Sequence, residues 1–101
     1  MRVFRILSER IKQGLKIAED CYLVGGTRDS VIIKFKGRRI EVFMERLPGK
    51  PSRLIYPSKQ RRWLPPHGSE PVTDAEYEYI IDAVAKDFEH RGEVVERRPP
   101  H

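Results

Sequence analysis

The chain has 101 residues, 39% of them hydrophobic, which supplies one modest core and excludes two independent ones. Charged residues make up 35% and the net charge is +5, yet four Tyr, four Phe and one Trp are too much apolar ring surface for a wholly disordered chain. No apolar run is long enough to cross a membrane, and a single cysteine, Cys21, excludes both an intrachain disulfide and a thiolate metal cluster.

The N-terminal stretch "MRVFRILSERIKQG" lacks a sustained apolar segment and a small-residue cleavage site, so no secretory leader is predicted. Phe4, Leu7, Ile11 and Leu15 fit one helical face, whereas "RVFRIL" also fits a strand and Gly14 interrupts both patterns. The expectation is a strand near the start and a helical turn around residues 8–13. "CYLVGG" (21–26) predicts a strand ended by its glycines, in which Cys21 reads as a small buried apolar side chain. A lone buried thiol fits a reducing cytoplasm.

Two strands follow with clear alternation. "SVIIKFK" (30–36) places Val31, Ile33 and Phe35 on one face. "RIEVFMERL" (39–47) places Ile40, Val42 and Met44 opposite Glu41, Phe43 and Glu45. Gly37 between them predicts a tight hairpin. "LPGKP" is a turn, and "RLIY" (53–56) is a short strand.

Next comes a proline-rich junction, "RRWLPPHGSEPV", and then a helix over about 74–91. Thr73 and Glu76 have capping-box spacing, and Val72 and Tyr77 have the spacing of a hydrophobic staple. Tyr77, Ile80, Ile81, Val84, Ala85 and Phe88 form the apolar stripe of a half-buried helix. Gly92 offers a left-handed stop. "EVVE" (93–96) predicts an edge strand, and residues 97–101 a flexible tail. The sum is one α+β domain over 1–96. An antiparallel sheet of four to five strands carries the long C-terminal amphipathic helix on one face.

Charge is divided along the chain. Residues 28–62 hold eleven Lys/Arg against three Asp/Glu, and residues 70–96 hold two against nine. Either neighbouring elements compensate one another, or two surfaces offer opposite potentials to partners. The acidic face of the helix carries Glu76, Glu78, Asp82 and Glu89. The basic middle carries Arg38, Arg39, Arg53, Lys59, Arg61 and Arg62 beside Tyr56 and Trp63, and Arg38, Arg39, Arg61, Arg62 and Trp63 are its candidate interface residues. Cations with interleaved rings can grip single-stranded nucleic acid by charge and stacking, which makes a small nucleic-acid-binding module the alternative function. Trp63 equally suits closure of the core beneath the helix start.

No catalytic constellation emerges. His67, His90 and His101 lack metal-ligand spacing, no serine sits in a nucleophile elbow, and no glycine-rich phosphate loop is present. A Cys21–His67 pair would lack an orienting third residue. No cofactor and no metal are expected.

The order of hairpin, short strand, W-L-P-P-H junction, capped helix and glycine resembles a family of bacterial polymorphic-toxin immunity proteins, immunity protein 74. The carrying stretches are "GRRIEVFMERL", "LIYPSKQRRWLPPHGSEPVTDAEYEYIIDAVAKDF" and "RGEVVE", over about 29–96. The resemblance implies a non-enzymatic cytoplasmic protein that binds one cognate toxin C-terminal domain, a nuclease among the expectations. It implies a monomer that neutralises the toxin in a 1:1 complex, away from any membrane. Toxins that cut nucleic acid carry basic clefts, which points to the acidic helix face. The chain's net positive charge points instead to the basic patch.

Overall fold

A computed structural model of the protein describes residues 14–98. The strand near the start, the turn at 8–13 and the last three residues of the tail lie outside the described residues. Six strands form one sheet in the order β1 (Leu15–Ala18), β2 (Cys21–Thr27), β3 (Ser30–Phe35), β4 (Arg38–Arg46), β5 (Arg53–Tyr56) and β6 (Val95–Arg97). Helix α1 (Asp74–His90) lies between β5 and β6.

The architecture is α+β as expected, but the sheet has six strands rather than four to five, and it is mixed. The first five strands form an antiparallel meander, while β6 runs parallel to β5. The parallel pairing follows from α1 itself. A helix carries the chain back along the sheet, so the next strand starts at the same end as β5. The added strand is β1, whose Leu15 is half-exposed in extended backbone and not on a helical face.

Local chemistry sets the turns. Lys36 and Gly37 both have positive φ, at 50° and 81°, and join the paired residues Phe35 and Arg38. This is the mirror-image turn whose twist matches a hairpin, and Gly37 adopts it without steric cost. β6 begins two residues later than "EVVE" suggests, because Gly92 and Glu93 finish the helix. The Gly92 N–H donates to Glu89 O at 3.0 Å and the Glu93 N–H to Phe88 O at 3.1 Å. That doubled bond is a Schellman stop. The pairing then runs into the segment expected to fray, since the Arg98 N–H donates to Ile55 O at 2.9 Å.

Alternation decides the core. Val31, Ile33, Phe35, Ile40, Val42, Met44 and Ile55 face α1, which buries Tyr77, Ile80, Ile81, Val84, Ala85 and Phe88 against them. Trp63 is 1% exposed and joins the same cluster. It also bridges back to Ile40 of β4, and the Leu64 N–H donates to Arg39 O at 2.7 Å. The chain after β5 therefore returns along the free half of the β4 edge before the helix begins.

The start of α1 is fixed as its sequence predicts. The Glu76 N–H donates to Thr73 Oγ1 at 3.1 Å, and the Thr73 N–H returns to Glu76 Oε1 at 3.1 Å. Such a cap contributes about 1 kcal/mol. Val72 packs on the core just ahead of it.

Candidate binding cleft beside the helix start

The junction brings the basic middle and the acidic helix together. Arg38 Nη2 donates to Glu76 Oε2 at 2.6 Å, and its other amino group lies 3.6 Å from Glu70. The Arg38 guanidinium sits 4.3 Å from the centre of the Trp63 ring. Arg61 lies over Tyr77 at 4.9 Å, donates to Val72 O at 3.3 Å and pairs with Asp74. Asp82 pairs with Arg97 of β6. Internal compensation thus accounts for Arg38, Arg61, Glu76 and Asp82.

Trp63 has no free face for a nucleic-acid base. Phe35 stacks near-parallel to its ring at 6.5 Å, Arg38 lies against it, and Nε1–H donates to Pro71 O at 3.2 Å. Its role is closure of the core beneath the helix start. Glu78, Glu89, Arg39 and Arg62 remain exposed, and among the described residues none of them has an ion-pair partner.

The Glu76 carboxyl titrates with the fold. Burial pushes its pKa up, but hydrogen bonds from Thr73 and the Arg38 guanidinium outweigh that, and the net shift is down from 4.5. A depressed folded-state pKa gives stability that is present above the unfolded value and lost as pH falls through the folded one. Equilibrium unfolding followed below pH 4.5 is therefore expected to show a steeper loss in the native chain than in Glu76→Gln. Glutamine keeps the capping geometry and removes the proton. Equal slopes would show that Arg38 and Thr73 do not favour the charged form.

Cys21 and His67 form no catalytic pair. The Cys21 side chain is fully buried in the core, where burial pushes its thiol up to about 11. His67 Nδ1 lies 2.6 Å from Glu70 Oε2 instead. Among the described residues no group of His, Cys, Asp and Glu could hold a metal ion. No described helix is long and apolar enough to cross a membrane.

One cleft collects several of these groups. Pro57, Ser58, Lys59, Arg61, Tyr77, Glu78, Ile81, Arg97 and Arg98 line a cavity of about 360 Å³. Tyr77 and Ile81, both buried, contribute its apolar floor. The Ser58 N–H donates to Tyr77 Oη at 2.8 Å and ties the loop after β5 to the helix. Arg61 and Arg97 are neutralised by Asp74 and Asp82, whereas among the described residues Lys59 and Arg98 have no ion-pair partner and share the lining with Glu78. The cleft can hold an apolar side chain and hydrogen-bond an anionic group at its rim. Arg97 and Arg98 were not singled out in the sequence; they meet Lys59 of the basic middle only because β6 returns beside the loop after β5.

The exposed sheet face offers less. Phe43 is 48% exposed on it among Arg39, Glu41 and Glu45. A family model described as immunity protein 74 matches residues 23–96, which begins inside β2 and takes in the whole junction and helix. No curated protein and no solved structure matches the chain.

Proposed function

Because this chain belongs to the immunity protein 74 family, we propose that it binds one cognate bacterial toxin domain and neutralises it by covering the toxin's active site or the surface that docks its target. The family match across the sheet, junction and helix is the observation that carries this reading. A toxin partner is what an immunity protein family implies. The finer statements are the proposal's own: a 1:1 complex, formed in the cytoplasm, with the C-terminal domain of a large secreted protein.

The cleft beside the helix start is the anchor site in this account. A pocket with an apolar floor and unpaired charge at its rim suits the central contact of an interface. The exposed Glu78, Glu89, Arg39 and Arg62 would steer the encounter and fix its register without adding much affinity. The internally paired Arg38, Arg61, Glu76 and Asp82 would act by holding the surface in shape. Loss of the Trp63 face to the core weighs against the nucleic-acid reading, which needs a ring to stack on.

The test is genetic and direct. The gene beside this one is expected to encode a large secreted protein, and its C-terminal domain should arrest growth when expressed alone. Co-expression of this chain should restore growth and give a complex that co-purifies. A toxin domain that still kills at full expression of this chain defeats the proposal.

A further inference from the structure

The sheet carries a second polar cavity, at the end of β5 away from the cleft. Thr27, Arg28, Arg46 and Arg53 line about 470 Å³. No carboxylate is among its described lining residues. The concentration of charge is built by the fold. Arg46 and Arg53 are direct cross-strand partners in the β4–β5 ladder. Like charges directly opposite one another weaken a sheet. Arg28 arrives from the β2–β3 turn, which is held against β4 by the Met44 N–H donating to Asp29 O at 2.9 Å.

The three guanidinium groups differ in how they are held. Arg53 is fixed and its charge is neutralised: its Nε donates to Glu93 Oε1 at 2.8 Å, and its guanidinium lies 4.4 Å from the centre of the Phe88 ring, so it shapes the pocket while the other two supply the uncompensated charge. Arg28 and Arg46 are exposed, and among the described residues neither has an ion-pair partner. The turn below Arg28 is itself braced. Ser30 Oγ donates to Glu41 Oε2 at 2.6 Å, and Thr27 Oγ1 lies 3.0 Å from Ser30 Oγ. The Thr27 hydroxyl is thereby engaged, and the free donors left in the cavity are guanidinium N–H groups.

We propose that this three-arginine pocket receives an acidic side chain of the toxin, an inference that rests on the immunity reading above. Guanidinium groups recognise carboxylates through paired N–H donors in a fixed plane. The described lining holds no aromatic ring on which a base could stack, which favours a single carboxylate over a nucleic-acid strand. β5 has four residues, so at about 3.3 Å per residue its two ends are about 10 Å apart. An interface of ordinary size, about 800 Å² on each partner, is wide enough to cover that distance.

The test uses the whole chain and the Arg28→Ala/Arg46→Ala variant. Among the described residues neither side chain has an ion-pair partner to lose, and removing Arg46 relieves its repulsion with Arg53, so the unfolding midpoint should hold or rise. Titration of isotope-labelled chain with a hexaglutamate peptide is expected to shift the amide resonances of Thr27, Arg28 and Arg46, and the variant's remaining Thr27 resonance should stay still. The variant should bind the toxin domain about 10- to 100-fold more weakly. Unchanged affinity in a complex that forms normally overturns the pocket and leaves the immunity reading standing. If the native chain does not bind the toxin domain, the immunity reading falls, and the peptide decides the pocket alone: shifts support it and their absence overturns it. A ten-residue oligothymidine that shifts the same resonances at lower concentration than hexaglutamate overturns the carboxylate assignment.

Discussion

A Trp63→Ala chain is expected to lose about 3–5 kcal/mol of folding stability, the usual cost of removing a large buried ring. The ring is 1% exposed, stacks on Phe35 and carries the Arg38 guanidinium at 4.3 Å. Its removal empties the space between β4 and the helix start. It also strands the Pro71 carbonyl that Nε1–H now satisfies at 3.2 Å. A domain of this size has about 5–15 kcal/mol in total. The variant should therefore melt roughly 12–40 °C lower, at about 4–8 °C per kcal/mol, or fail to fold at growth temperature. Trp63→Phe should fall between the two, since it keeps the stacking and loses the hydrogen bond. A melting point within a few degrees of the native chain would mean that Trp63 does not hold the junction together.

The second large effect belongs to the cleft. Lys59→Glu/Arg98→Glu reverses both uncompensated cations around the Tyr77 and Ile81 floor. Both residues are exposed and neither has an ion-pair partner among the described residues, so the fold should keep its stability. Toxin affinity is expected to drop by about two orders of magnitude or more, since placing like charge against like at an interface costs several kcal/mol. Growth protection in co-expressing cells should fall with it. The measurement is a titration calorimetry isotherm for the native and reversed chains, each checked by its own melting curve. Equal affinities would remove the cleft from the interface.

How much could be read from the residues depends on the range of the interaction that decides each feature. The start of α1 was legible because Thr73, Glu76 and Val72 act within one turn. The β3–β4 hairpin was legible because Gly37 and the alternation around it are local. β1 was not, because "LKIA" is too short to show a period and Gly14 breaks the pattern before it. The parallel pairing of β6 was not drawn from the sequence either, although a helix between two neighbouring strands already requires a return along the sheet.

The site was legible in composition and not in pairing. A basic middle and an acidic helix are visible as charge counts. That Arg38 meets Glu76, 38 residues away, is a product of the fold. The same holds for Arg61 with Asp74 and Arg97 with Asp82. Those pairs turn half of the candidate interface into support for the other half. The arginine pocket was hidden for the opposite reason. Arg28, Arg46 and Arg53 are scattered singly at strand ends, and only the strand register brings the last two face to face.

The proposed inhibition is stoichiometric, with one chain occupying one toxin domain. The most direct measurement adds purified chain stepwise to a fixed amount of the purified toxin domain and follows the toxin's own activity. Stoichiometric inhibition gives a linear fall in activity to zero at one molar equivalent. Full toxin activity in the presence of a large excess of correctly folded chain would contradict it.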